Sequence, residues 1–450
     1  MKKAIAIISA AVLMLVSLSA CSDFKLFRAA DSLLSPPLFY DEYEGLVELF
    51  RSQTGTGVSF CAPYDGEYRS AIIVEDFDGD KDDEAMIFYR DASGDPVAKV
   101  RCYESADGEW TQAGDFTGHG NQVESVTVRD MNGDGISEII VSWSVSGVSV
   151  GKSLSVYHTP GNNVQFKEIS NESCSVSLIE DIDGDSNDDI FLITQNSNSA
   201  IPQRSARLIS FSGSSAVLKG EVRVDANISN YVAVNTEKSE KGNFRIYVDA
   251  LKGERQMITE LIFWDSVKGR LVAPLFDEET MSTMLTHRND PILSADINGD
   301  GILDVPSQVE IFSSGANEMT IDPNHLYITS WLNFFDDGNE TVINALVNYE
   351  NGYMLTLDSR ERFELSVVEE TEENRWVIKE KNIETAEETE LYSIARVPAE
   401  QSDGTLSEGY VAVIEKDEYS IIVSITAQGE ERGVTADTLK NKILPLQQVG

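Results

Sequence analysis

Oxygen-bearing side chains recur at fixed spacing in four nine-residue segments: Asp76–Glu84 (DFDGDKDDE), Asp130–Glu138 (DMNGDGISE), Asp181–Asp189 (DIDGDSNDD) and Asp296–Asp304 (DINGDGILD). All fit D-x-[DN]-G-D-x-x-x-[DE]. Carboxylate or amide oxygens at positions 1, 3, 5 and 9 of a curling chain can converge on one point, the donor set that suits a hard cation. The candidate ligands are therefore Asp76, Asp78, Asp80 and Glu84; Asp130, Asn132, Asp134 and Glu138; Asp181, Asp183, Asp185 and Asp189; and Asp296, Asn298, Asp300 and Asp304. Position 7 varies (Asp82, Ile136, Asn187, Ile302), as expected where the main-chain carbonyl is the donor. The invariant Gly at position 4 supplies the positive φ that so tight a turn requires. An EF-hand would instead carry Gly at position 6, a closing Glu at position 12 and flanking helices.

The elements that must hold these loops are short apolar runs: Ser70–Val74 before the first, Ala85–Tyr89 after it, Ile139–Val141 after the second and Ile190–Ile193 after the third. Strand, acidic loop, strand is the unit. Loop starts at 76, 130 and 181 are spaced by 54 and 51 residues, and the next follows at 296. The long interval predicts a further copy near 235. There Tyr231–Val234 and Phe244–Val248 flank Asn235–Asn243 (NTEKSEKGN), which has lost the acidic pattern and reads as a repeat without calcium. A period of 50–60 residues accommodates four strands, and each such unit buries its faces only against neighbours. In the second copy the strands read as Glu124–Val128, Glu138–Trp143, Leu154–His158 and Val164–Ile169. Val58–Ala62 is a candidate to add a strand to the last unit, and Ser313–Asn324 reads as an insertion.

These loops and their spacing resemble the FG-GAP or VCBS repeats of integrin-like β-propellers. The resemblance covers residues 55–350 and implies a mainly β fold: a propeller of about five (five to seven) four-stranded blades bracing about four structural Ca2+ ions. It also implies a surface that presents a rim to a protein or glycan ligand.

Ahead of the repeats, Lys2 and Lys3, apolar Ala4–Val16 and Leu18-Ser19-Ala20-Cys21 resemble a bacterial lipoprotein signal (residues 1–21). That resemblance implies cleavage before a diacylated Cys21, and two acyl chains anchor a protein stably. Residues 22–54 form a tether and a short helix, with Tyr43, Leu46, Val47 and Phe50 at helical spacing within Asp41–Ser52. Residues 351–450 read as a small α+β domain with strands at Tyr353–Leu357, Phe363–Val368, Trp376–Lys379, Leu391–Ala395, Tyr410–Ile414 and Tyr419–Ile425, then a helix over Thr435–Ile443.

Net charge is −41, which disfavours nucleic acid and anionic lipid as partners and favours solubility. Cys61, Cys102 and Cys174 are far apart and form no C-x-x-C, so they read as buried strand residues, with at most one disulfide among them. His119, His158, His287 and His325 form no metal motif, and Trp143, Trp264 and Trp331 read as core. Gly147–Gly151 imitates a nucleophile elbow and Gly151-Lys152-Ser153 a phosphate loop, but neither has the strand-to-helix setting such motifs need. The sequence thus predicts no catalytic residue. It predicts an extracytoplasmic, lipid-anchored, calcium-binding propeller acting as a non-catalytic binding or scaffold module. The alternatives are an envelope enzyme acting on polysaccharide, or a spacer for the C-terminal domain. An enzyme would need unligated carboxylates with His or Tyr at one rim or in a cleft.

Overall fold

The computed structural model describes residues 43–446, apart from 56, 92–96, 107, 145–150, 160–165, 197–202, 240–241, 311–326, 336–337, 359–360, 371–373, 383–384, 386 and 400–408. The signal segment with Cys21, residues 22–42 of the tether, most of the Gly147–Gly151 motif, the insertion at Ser313–Asn324 and His325 lie outside the described residues. The protein is mainly β and built from antiparallel sheets, most of them of four or five strands. It divides into two compact units, residues 1–127 with 160–166, and residues 128–159 with 167–450.

In the first unit, helix α1 (Glu44–Thr54) buries Leu46, Val47 and Phe50 at i, i+1 and i+4 and ends on Gly55, whose φ of 77° a side-chain-bearing residue would adopt only with strain. Its sheet comprises β1 (Val58–Phe60), β2 (Ile72–Glu75), β3 (Glu84–Asp91), β4 (Lys99–Ala106) and β5 (Glu109–Thr117). Val58–Ala62 does not extend the last repeat. Instead β1 pairs with the far half of β3 (Val58 opposite Asp91), while β2 pairs with its near half (Glu75 opposite Glu84). Leu46 and Phe50 pack on Ala85, Ile87, Tyr89 and Tyr103, and the Phe50 and Tyr89 rings meet edge-on at 5.2 Å. That layer removes the helix's apolar stripe from water, which an isolated eleven-residue helix needs in order to persist.

Strand β6 (Gln122–Arg129) leads into the second unit. There β7 (Glu138–Ser144), β8 (Lys152–His158) and β9 (Lys167–Cys174) pair in order, as do β10 (Val176–Glu180), β11 (Asp189–Asn196), β12 (Gln203–Ser212) and β13 (Ser215–Val224). Next come β14 (Asn230–Lys238), β15 (Phe244–Lys252), β16 (Gln256–Asp265) and β17 (Arg270–Val272), then the small hairpin β18 (Phe276–Asp277) and β19 (Ser282–Thr283). The sheet after the fourth loop contains β20 (Val305–Glu310), β21 (Tyr327–Phe335), β22 (Gly338–Asn348) and β23 (Tyr353–Leu357).

Apolar layers join successive sheets. Ile140, Leu154 and Val156 meet Ile190, Leu192 and Ile209; Phe191 and Leu208 meet Ile246, Ile262 and Trp264; Tyr247 and Leu261 meet Val305, Leu332 and Phe334. Central strands such as β11 and β15 are accordingly buried on both faces, which explains runs such as Ile190–Ile193 that lack alternation.

Two differences from the sequence reading change how the repeats are bounded. The degenerate copy at Asn235–Asn243 is a hairpin rather than a nine-residue loop, because β14 continues to Lys238, which pairs with Phe244. Tyr353–Leu357 belongs to the β20–β22 sheet rather than to the C-terminal strands, since β23 pairs with β22.

The remaining strands, β24 (Leu365–Glu370), β25 (Arg375–Lys381), β26 (Glu388–Pro398), β27 (Tyr410–Glu415) and β28 (Tyr419–Ile425), form one sheet in the order β24-β25-β26-β28-β27. Short helices α2 (Glu361–Glu364), α3 (Ala427–Glu431) and α4 (Ala436–Lys442) accompany it, and α4 starts on a Thr435–Thr438 capping box. The chain then returns as β29 (Ile443–Pro445) along β23. No helix among the described residues is long and apolar enough to cross a membrane.

Candidate metal centres

Each acidic loop is wound by the same set of side-chain to main-chain hydrogen bonds. The position-1 carboxylate accepts from the N–H groups of positions 4 and 6: Asp76 from Gly79 (2.7 Å) and Lys81 (3.0 Å), Asp130 from Gly133 (2.7 Å) and Gly135 (2.8 Å), Asp181 from Gly184 (2.8 Å) and Ser186 (3.1 Å), Asp296 from Gly299 (2.7 Å) and Gly301 (2.8 Å). Positions 3 and 5 accept from the N–H groups two residues on, as Asp78 does from Asp80 and Asp80 from Asp82. The position-9 carboxylate accepts from the position-2 N–H, with Phe77 to Glu84, Met131 to Glu138 and Ile297 to Asp304 all at 2.8 Å, and Ile182 to Asp189 at 3.3 Å. Winding the chain this tightly needs two left-handed residues per loop. Position 4 is always glycine (φ 76–80°), whereas position 6 is Lys81, Gly135, Ser186 or Gly301 (φ 75–85°). The position-6 requirement was not visible in the consensus, because two loops meet it with residues that adopt it only with strain.

Position 9 opens the following strand, or in the fourth loop directly precedes it, and is the buried end of each loop: Glu84, Glu138, Asp189 and Asp304 are at most 1% exposed. Burial pushes Glu84 up to about 7 and Asp189 and Asp304 up to about 6, and it raises Glu138 as well. A carboxylate held away from water without a full counter-charge is the donor chemistry that a divalent cation satisfies. Ligand atoms of Asp76, Asp78 and Glu84 lie within 4.8 Å of one another, and so do those of Asp181, Asp183 and Asp189. Positions 1, 3 and 9 therefore converge in these two loops and fit a metal ion. The side-chain carboxylates of Asp80, Asp82 and Asp185 are not part of either group.

In the second and fourth loops Asn132 and Asn298 take position 3. Asn132 Nδ2 donates to Glu138 Oε1 (2.9 Å), and Asn298 Nδ2 donates to Asp300 Oδ2 (2.8 Å). Asp134 and Asp300 accept from the Ile136 and Ile302 N–H groups. The third loop also meets an internal cation, since Lys219 Nζ pairs with Asp183 and lies 2.8 Å from Asp185.

Strand pairing adds residues that the motif could not reveal. Ile139 pairs with Tyr157, so Glu138 faces His158, whose Nδ1 lies 2.7 Å from Glu138 Oε1. The same register sets Ser210 against Asp189, with its hydroxyl donating to that carboxylate, and Glu104 opposite Glu84. In the sequence His158 belongs to no metal motif. Its role becomes legible only once the strand register is known, and the same holds for Ser210. His119 is exposed and His287 half-buried. Trp143, Trp264 and Trp331 are core, and Cys61, Cys102 and Cys174 are buried and in no disulfide among the described residues. Lys152 and Ser153 lie in β8, so no helix follows Gly151 to make a phosphate loop.

A cleft of about 480 Å3 lies in the first unit, where β3, β4 and β5 run past the end of α1. It contains Asp91, Asp115 and Tyr89, carboxylates and a tyrosine outside the metal loops.

No family model and no curated protein matches the chain. Among solved structures it is similar to a rhamnogalacturonan lyase from Bacillus licheniformis (12% identity over 75% of this chain and 72% of that one, TM-score 0.27). It is also similar to exo-β-1,3-galactanases from Clostridium thermocellum (12%, 83% and 98%, TM-score 0.27) and from Phanerochaete chrysosporium, the latter with galactose (12%, 84% and 90%, TM-score 0.26). All three are enzymes named for carbohydrate substrates. The expectation of a non-catalytic binding or scaffold module, and of a chain that is not an enzyme, is corrected on this finding.

Proposed function

We propose that the protein is a calcium-braced β-blade repeat protein of the FG-GAP/VCBS type, held at the outer face of a bacterial membrane by a diacylated Cys21 and directed at polysaccharide. The single observation that carries the calcium reading is the fourfold recurrence of one loop geometry, in which a backbone-wound position-1 aspartate, exposed or half-buried, is paired with a buried position-9 carboxylate. Asp76, Asp78 and Glu84 would hold one ion and Asp181, Asp183 and Asp189 another. Asp130, Asn132 and Glu138, and Asp296, Asn298 and Asp304, would hold the remaining two through amide and carboxylate oxygens. The ion supplies positive charge to the buried carboxylates and fixes the turn into the strand that follows. The propeller arrangement of the blades is part of the proposal and is supported by the 50–60-residue repeat and the two-sided burial of the sheets. Isothermal titration with Ca2+ tests the metal reading: four equivalents should bind the full chain, and each position-1 Asp→Ala change should remove one.

The polysaccharide-directed reading takes the place of the non-catalytic one. Within this chain it is supported by the cleft of the first unit, the feature that an enzyme would require and that a repeat serving only as a spacer would not.

A further inference from the structure

Helix α1 covers only part of its sheet. Its apolar face ends with Phe50, while Gln53 and Thr54 of its last turn reach the edge of the cleft, and Gln53 accepts from the Tyr103 hydroxyl at 2.9 Å. Along β3, β4 and β5 the sheet face changes character where the helix stops. Ala85 and Ile87 lie beneath the helix, and Tyr89 and Asp91 continue the same face of β3. Lys99 and Arg101 follow on β4, each directly paired with its neighbour: Tyr89 with Lys99, Lys99 with Thr117, and Arg101 with Asp115. The cleft floor is thus a small grid in which donors and acceptors alternate.

We propose that this cleft binds a neutral mono- or disaccharide; the inference rests on the polysaccharide-directed reading above and names its recognition site. Three features select that chemistry. The two carboxylates and two cations cancel within a chain of net charge −41, so the cleft singles out no ion by charge. Its lining is too polar for an apolar ligand, and its volume suits one small molecule. The two ion pairs also differ. Lys99 and Asp91 are closed on each other at 2.5 Å, whereas Arg101 Nη2 and Asp115 Oδ2 stand 3.6 Å apart, beyond a direct hydrogen bond, with the Asp115 side chain 55% exposed. A sugar hydroxyl both donates and accepts, so one placed there accepts from Arg101 and donates to Asp115 together. The buried Tyr89 ring, with the Arg101 guanidinium 5.8 Å from its centroid, holds that guanidinium in place beside Asp115.

The test is saturation-transfer NMR and calorimetry on the full chain in detergent with Ca2+. The probes are galactose, glucose, mannose and their β-linked disaccharides, with glucuronate and glycine as anionic and zwitterionic counterparts. The variants are Asp115→Ala and Thr117→Val. The proposal expects at least one neutral sugar to bind the parent, and Asp115→Ala to weaken it by about 10-fold or more, the size of one charge-assisted hydrogen bond, with the thermal midpoint unchanged. Absence of neutral-sugar binding, equal binding by the variant, or binding of glucuronate or glycine alone would overturn it. Release of reducing ends from polysaccharide is followed in parallel. Cleavage that Asp115→Ala leaves untouched would refute the cleft while sparing the wider reading. Sugar binding lost in the variant, with no cleavage of any polysaccharide, would uphold the cleft and remove the enzymatic reading.

Discussion

His158 Nδ1 lies 2.7 Å from Glu138 Oε1, in a position where Glu138 is fully buried and His158 is 6% exposed. The contact closes the inner end of the second acidic loop from the neighbouring strand, so loop and sheet fold as one object. Replacing His158 by alanine leaves a buried carboxylate short of a partner. The expected cost is about 1–3 kcal/mol, measured by urea unfolding in the presence of chelator. Ser210→Ala should act in the same direction at Asp189.

The left-handed residues at loop position 6 predict a gain in stability. Lys81 and Ser186 hold φ of 81° and 75°, where glycine is at ease and L side chains are not. Lys81→Gly and Ser186→Gly should each stabilise by about 0.5–1 kcal/mol, the strain relieved minus the extra freedom of the unfolded chain. The reverse changes, Gly135→Ala and Gly301→Ala, should destabilise by about 0.5–1 kcal/mol for the same two reasons. Equal midpoints for all four variants would show that this conformation carries no strain.

A pH dependence follows from Glu260, which is 1% exposed and accepts from the Asp225 N–H at 2.7 Å and the Thr283 hydroxyl at 2.8 Å. Burial pushes it up to about 7 from the ordinary 4.5. Between those values the folded protein holds a proton that the unfolded chain has released, so stability falls as pH rises through the window, and the full cost is present above 7. Glu260→Gln keeps an acceptor for Asp225 and a polar group for Thr283 but cannot ionise. Relative to the variant, the parent should lose about 2–3 kcal/mol between pH 4.5 and 8, read from urea midpoints at each pH. Parallel pH profiles would contradict the assignment.

The four loops were legible in the sequence because their chemistry is local: side-chain oxygens reaching N–H groups two to seven residues away leave a fixed spacing. The repeated antiparallel sheets were legible for a related reason, since period and strand burial leave runs such as Ile190–Ile193. What escaped depended on register or distance. Lys81 and Ser186 hide a backbone requirement behind ordinary residue types. His158 and Ser210 meet their carboxylates only after β8 and β12 have paired. Val58–Phe60 could have joined any exposed strand edge, and Tyr353–Leu357 resembles its C-terminal neighbours in composition while pairing with β22. The cleft draws on three strands and a helix end, and no contiguous stretch encodes it.

The most direct test of the account is thermal unfolding of the full chain in detergent with Ca2+ and then with excess chelator, beside a variant carrying Asp→Ala at 76, 130, 181 and 296. An ion bound by the native state alone raises the midpoint by mass action. The account predicts a large calcium-dependent rise in the parent and none in the variant. Identical midpoints for the parent with and without calcium would contradict it.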